Sequence, residues 1–192
     1  MAQTFRRICV FCGSNPGAKP DYAQGAKWLG KTLAQNGIGL VYGGSGKGLM
    51  GILADAALAE GGEVIGVITH QLKGLGAAHD GLSELKVVET MHERKAAMAE
   101  LSDGFIAMPG GIGTLEELFE AITWSQLGIH KKPCGLLNLA DYYTPLTVFL
   151  NNMGTEKFFK GDLSQLLAVE SGPEDLLSSM ARCQGTSGLK WF

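Results

Sequence analysis

Between Pro109 and Glu117 the chain reads PGGIGTLEE. Gly110, Gly111 and Gly113 permit positive φ and a close backbone approach to a ligand. Ile112 lies between them, and Thr114 offers both a helix cap and a hydroxyl donor for a phosphate. The unpaired N–H groups that open the following helix make a ready anion cradle. Two carboxylates, Glu116 and Glu117, follow at once, which sets negative charge beside an anion site. A capped turn whose acids complement the helix dipole is the plain alternative, but three glycines exceed what a cap requires. Upstream, Met91–Lys95 reads MHERK. Arg94 carries a planar fork suited to phosphate, carboxylate or a purine edge. Lys95 projects about 100° around the helix from it, so both meet one anion only near a helix end. From spacing alone, an exposed basic turn paired with Glu93 or Glu89 is the simpler reading of MHERK.

Other groups carry less. Gly46, Gly48 and Gly51 in GGSGKGLMG match the spacing of a dinucleotide fingerprint. The match follows the second strand, however, and lacks the acid expected roughly 20 residues on. Lys47 precedes Gly48 rather than Ser or Thr, which excludes a P-loop. A tight strand-to-helix turn and a ligand contact both remain open for this segment. Cys9-x-x-Cys12 has no second pair and suits a strand better than a metal or redox site. His70, His79, His92 and His130 show no metal-ligand spacing, so neither metal nor cofactor is expected. Trp124 and Trp191 read as packing residues.

The elements that must position these residues alternate between β-type and helical patterns. Strands are expected at Ile8–Cys12, Ile38–Tyr42, Val64–Ile68, Leu85–Val88, Gly104–Met108 and Pro133–Leu139. Helical spacing covers Tyr22–Gln35, Leu49–Glu60, Met91–Leu101, about Thr114 to Leu127, Tyr143–Met153 and Pro173–Ala181. Thr69–Ser83 reads as an irregular loop of active-site type, and residues 184–192 as a loose tail. Such alternation predicts one Rossmann-like α/β domain over residues 1–192, a doubly wound parallel sheet with helices on both faces. Composition agrees: 192 residues, 45% hydrophobic, 18% charged, net charge −3 from 16 basic and 19 acidic side chains. No basic cluster offers a nucleic-acid surface. No run approaches the ~20 apolar residues of a membrane span, the opening residues lack a secretory core, and four scattered cysteines make no disulfide framework. A cytoplasmic protein is expected.

PGGIGTLEE fits P-G-G-x-G-T-x-x-E in full, and with MHERK upstream the chain resembles the Lonely Guy family. CVFCGS, LVYGGSGKGLMG, ADAAL, GGEVIGV, ITWSQLGIHKKP and GLLN support the likeness over roughly residues 7 to 153. The resemblance implies hydrolysis of the N-glycosidic bond of nucleoside 5′-monophosphates, of cytokinin ribosides or AMP, to free base and ribose 5-phosphate. It puts the catalytic pair on Arg94 and Glu117 and the phosphate loop on Gly111–Thr114. It also puts Lys95 and Thr123 in or around the nucleotide site and implies a homodimer with a small-molecule nucleotide as partner. Family members have often been labelled lysine decarboxylases, yet nothing in the sequence suggests a pyridoxal phosphate site. One position departs from the pattern: Gly76 stands where relatives often carry an acid, which implies weaker base recognition or a changed substrate preference. A non-catalytic nucleotide-binding or sensing module of the same fold is the competing reading, and a hydride-transfer enzyme a distant third.

Overall fold

A computed structural model of the protein describes residues 4–158 and 166–183. Seven strands form a single sheet in the order β4-β3-β2-β1-β5-β6-β7. They are β1 (Arg7–Phe11), β2 (Gly39–Tyr42), β3 (Val64–Thr69), β4 (Glu84–Val88), β5 (Gly104–Ala107), β6 (Cys134–Leu137) and β7 (Leu167–Glu170). Every pairing is parallel. The helices are α1 (Pro20–Gln35), α2 (Gly48–Ala59), α3 (His70–Gly74), α4 (Met91–Glu100), α5 (Ile112–Gln126), α6 (Thr144–Thr155) and α7 (Pro173–Arg182).

Period-two alternation in β1 shows why helices must cover both faces. Ile8 and Val10 join a core with Leu29 and Leu33 of α1, Leu53 of α2 and Met180 of α7. Cys9 and Phe11 point the other way, into Met98 of α4, Leu118 and Ile122 of α5 and Leu150 of α6. A strand buried on both sides must be apolar throughout, which the ICVF run satisfies. The expected doubly wound α/β architecture is therefore the observed one.

The chain differs from the sequence reading in three places. Leu167–Glu170 adds a seventh strand beside β6. Residues 70–74 of the expected irregular loop form α3, started by the Thr69 hydroxyl accepting from the Leu72 N–H at 3.3 Å. Helix α5 begins at Ile112, two residues before Thr114. The tail expected at 184–192 lies outside the described residues. Among the described residues, no helix is long and apolar enough to cross a membrane.

Strand order reverses between β1 and β5, because successive strands run outward from β1 to β4 and then restart on its other side. Loops leaving these two strands diverge and open a crevice at the carboxyl edge of the sheet. Its floor is tied together where the Met108 N–H donates to Phe11 O at 2.9 Å and the Gly13 N–H donates to Pro109 O at 3.1 Å.

Candidate active site

Three loops meet at this switch point. The segment after β1 touches the segment after β2, where the Leu49 N–H donates to Gly13 O at 3.1 Å. It also touches the segment after β5, where a Cβ on Gly110 would lie 2.9 Å from the Gly13 nitrogen. That same Cβ would lie 2.1 Å from Thr114 Oγ1, so position 110 has no room for a side chain. The need for glycine is therefore spatial. Gly110, Gly111 and Gly113 all keep negative or extended φ, contrary to the handedness expected of them. Gly111 and Gly113 face open space, with nothing within 4 Å of a built Cβ.

Gly111 is the N-cap of α5 and brings no side-chain cap. The first helical bond is Leu115 N–H to Gly111 O, 3.2 Å. The N–H groups of Ile112, Gly113 and Thr114 are thus the orphan donors of a 15-residue helix. Thr114 is not the cap: it sits inside the first turn, 4% exposed, packed against Gly110. Ile112 is 83% exposed at the rim.

Arg94 and Glu117 face each other across this crevice. Helix α4 starts where the Thr90 hydroxyl accepts from the Glu93 N–H, while the Glu93 carboxylate accepts from the Glu89 N–H at 3.0 Å. That reciprocal cap sets the first turn and turns Arg94 inward, its side chain only 8% exposed. Its Nε donates to Val67 O and its Nη1 to Glu117 Oε1, each at 2.9 Å. Its Nη2 lies where a Cβ of residue 43 would be, 2.2 Å away, so Gly43 is the space the guanidinium occupies. The expectation of an exposed basic turn paired with Glu93 or Glu89 is overturned for Arg94. Its charge is buried, which demands a partner, and the partner is Glu117.

Burial raises the Glu117 carboxyl above the usual carboxylate range, and the adjacent Arg94 charge acts against that rise. Lys95 points to the neighbouring stripe of α5, donating to Glu116 at 2.6 Å and Glu120 at 3.1 Å. Burial disfavours its charge, but these two carboxylates outweigh that and hold its pKa above the ordinary lysine value. Glu116 is accordingly a partner of Lys95 rather than a dipole complement. Thr123 continues the Glu116–Glu120 stripe; it is exposed and its hydroxyl donates to Phe119 O at 2.7 Å. The structure thus gathers Arg94, Glu117 and the Gly110–Thr114 turn at one place, with Lys95 beside them and Thr123 farther along α5.

Several participants were not singled out from the sequence. Gly43 and the Val67 carbonyl belong to Arg94, and Glu120 completes the Lys95 pairing. An acid four residues after Glu116 was a usable signal, whereas a backbone carbonyl leaves none. Gly76 is exposed with φ +67, so a left-handed backbone favours glycine there whatever its place in the nucleotide site. The loop bearing it closes on the β2 segment through a bridge between Ser45 and Ala78. Among the described residues, no group of three or more His, Cys, Asp or Glu side chains is placed to hold a metal ion.

Comparison with known proteins gives this crevice a setting. The family model described as "Possible lysine decarboxylase" matches residues 50–180. The chain is 52% identical to the cytokinin riboside 5′-monophosphate phosphoribohydrolase of Rhodococcoides fascians, over 81% of this chain and 79% of that one. It is 49% identical to the probable cytokinin riboside 5′-monophosphate phosphoribohydrolase LOGL1 of Oryza sativa subsp. japonica, over 92% and 79%. Among solved structures it is similar to the molybdenum cofactor binding protein from the phototrophic bacterium Rippkaea orientalis, at TM-score 0.67 and 25% identity, over 91% and 94%. With a family model over most of its length and such identity to both relatives, the chain belongs to the Lonely Guy family of cytokinin riboside 5′-monophosphate phosphoribohydrolases.

Proposed function

We propose that the protein hydrolyses the N-glycosidic bond of nucleoside 5′-monophosphates, releasing the free base and ribose 5-phosphate. The observation that carries this reading is the buried Arg94–Glu117 pair beside the open N-terminus of α5. Orphan N–H groups of Ile112, Gly113 and Thr114, with the space above Gly111 and Gly113, suit the 5′-phosphate. Arg94 occupies Glu117 Oε1 and leaves Oε2 without a partner among the described residues. That oxygen is the group offered to the ribose.

Breaking the bond from C1′ to the base leaves oxocarbenium-like positive charge on the sugar. A carboxylate stabilises that charge more than it stabilises the neutral ground state, which is what acceleration requires. Water then adds its oxygen to C1′. One of its protons stays on that oxygen as the new C1′ hydroxyl, and the other passes through Glu117 to the departing base, which leaves Glu117 ionised again. Arg94 favours the ionised form of Glu117 and aims it through Nη1, while its Nη2 packs against Gly43. Lys95, fixed by Glu116 and Glu120, borders the nucleotide site, and Thr123 frames its far side.

AMP and cytokinin riboside monophosphates both belong to the proposed substrate class, and the protein works as a homodimer in the cytoplasm. Exposed Leu127, Ile129, Val148 and Phe149, each 59–64% accessible, support a covered face. Buried free thiols at Cys9, Cys12 and Cys134 support a reducing compartment. The deciding experiment incubates the pure protein with AMP and with isopentenyl-adenosine monophosphate and separates the products by chromatography. Free base and ribose 5-phosphate in equal amounts are expected; tight binding without base release would establish a non-catalytic binding module instead. Sedimentation equilibrium at twice the chain mass is the expected result for the dimer.

A further inference from the structure

The phosphate loop is gripped from behind by two tyrosines that the reaction does not use. After β6 the chain turns through Ala140 (φ 48) and Asp141 (φ 61), two consecutive left-handed residues that are not glycine. Such backbone persists only where the surroundings impose it. Here the Asn138 carboxamide accepts from the Tyr143 N–H at 2.7 Å, and Lys19 donates to Ala140 O at 3.3 Å. The result of this costly turn is that two adjacent phenols point at the same loop. The Tyr143 hydroxyl donates to Met108 O at 2.6 Å, and the Tyr142 hydroxyl donates to Gly110 O at 2.5 Å. Edge contacts with Tyr22, 5.6 Å between ring centroids, and with Tyr143, 5.0 Å, hold the Tyr142 ring in place.

We propose that Tyr142 is a positioning residue for phosphate binding, with Tyr143 as its buried support. Peptide geometry links the phenol to the donors of the loop. Gly110 C=O and Gly111 N–H belong to one planar trans peptide and point in opposite directions. A phenol that pins the carbonyl on one side therefore fixes the N–H on the other side, at a residue whose built Cβ meets nothing within 4 Å. Gly111 and Gly113 have no side chain to resist rotation of this segment, so the aim must come from elsewhere. Tyr143 fixes the strand end two peptides earlier, at a carbonyl whose bond leads to Pro109 and carries no N–H. Tyr142 alone thus controls a donor that faces ligand.

This inference rests on reading residues 110–114 as the phosphate loop, and its test separates the two ideas. Tyr142→Phe keeps the ring and its edge contacts and removes only the hydroxyl. Binding of ribose 5-phosphate and of inorganic phosphate is measured by calorimetry, alongside KM and kcat for AMP, binding of adenosine, and the melting temperature. The variant is expected to bind both phosphates about fivefold more weakly, the size of one net hydrogen bond. KM for AMP should rise by a similar factor while kcat, adenosine affinity and melting temperature stay near wild type. Phosphate affinity equal to wild type, or a loss confined to melting temperature or kcat, overturns the proposal. A wild-type protein that binds both phosphates but releases no base would sink the proposed activity and leave the tyrosine inference standing, provided Tyr142→Phe still weakens phosphate.

Discussion

Gly43→Ala is the most direct test of the Arg94–Glu117 arrangement, because it alters neither residue. A Cβ at position 43 would sit 2.2 Å from Arg94 Nη2, with Met50 Sδ next at 3.2 Å. Ordinary carbon contacts lie near 3.5 Å, so the guanidinium must retreat by roughly 1.3 Å. The end of an arginine is normally mobile, but this one is held by Val67 O on Nε and Glu117 on Nη1. Retreat therefore either breaks one bond or drags Glu117 with it. A misplacement of about 1 Å in a reacting group costs on the order of 100-fold in rate, or about 2.7 kcal/mol of barrier. The assay is base release from AMP at saturating substrate, with circular dichroism and thermal melting to confirm the fold. Gly154→Ala, where a Cβ meets nothing within 4 Å, is the control and should keep full kcat. A Gly43→Ala enzyme with wild-type kcat would refute the claim that Arg94 must occupy that space for Glu117 to act.

Three further outcomes are expected. Glu117→Gln can still accept from Arg94 Nη1 but carries no charge, so circular dichroism and melting should change little. Its kcat should fall by about 10²–10³, the loss typical of one electrostatic group at a developing charge. Because burial raises the Glu117 carboxyl and the proposed mechanism uses its ionised form, activity is expected above its folded pKa and lost as pH falls through it. The acid limb of kcat/KM should therefore lie above the ordinary carboxylate range, and Arg94→Met should move the limb of its residual activity higher still by deleting the charge that opposes the rise. Gly110→Ala places a methyl group 2.7 Å from Thr114 Cβ and 2.9 Å from the Gly13 backbone. Overpacking there should destabilise the fold by roughly 1–3 kcal/mol, read as a lowered denaturant midpoint with weakened phosphate binding.

Much of the fold was legible because buried parallel strands must be apolar on both faces. ICVF, LVY, VIGVIT and GFIA stand out between glycine-rich turns, and each is a strand. LAVE at β7 did not stand out: it is four residues long, pairs only with β6, and ends in an acid at the sheet edge. Residues 70–74 hid a helix because it is a single capped turn among glycines, too short to show a period. In the candidate site, the PGGIGTLEE motif marked the turn that opens α5, but the physical reason for Gly110 lay in Thr114 packing rather than in handedness. MHERK misled by spacing, since its outcome depended on a carbonyl 27 residues upstream and a carboxylate 23 residues downstream. Local sequence cannot report such partners, and only a buried charge reveals that they must exist.

The apparent conflict of an anion cradle beside carboxylates resolves through distance and pairing. Glu117 stands six residues after Gly111, about 9 Å along the axis of α5, so on the proposed reading cradle and carboxylate address different ends of one ligand. Glu116, nearer in sequence, has its charge taken up by Lys95. Glu117 poses the harder problem, because a carboxylate dry enough to act strongly on a cationic sugar is also dry enough to hold its proton. Arg94 acts against that rise in pKa, yet in the proposed mechanism it also shares the field that the sugar would otherwise feel. The geometry limits that sharing: the guanidinium engages Oε1 and spends its Nε on a neutral backbone carbonyl, so the pairing is single-pronged rather than a bidentate fork. A fork would bind the carboxylate more tightly and leave less of it for the transition state. In the proposed mechanism this partial grip lets Arg94 oppose the rise that burial causes in the Glu117 carboxyl while leaving its other oxygen for the ribose.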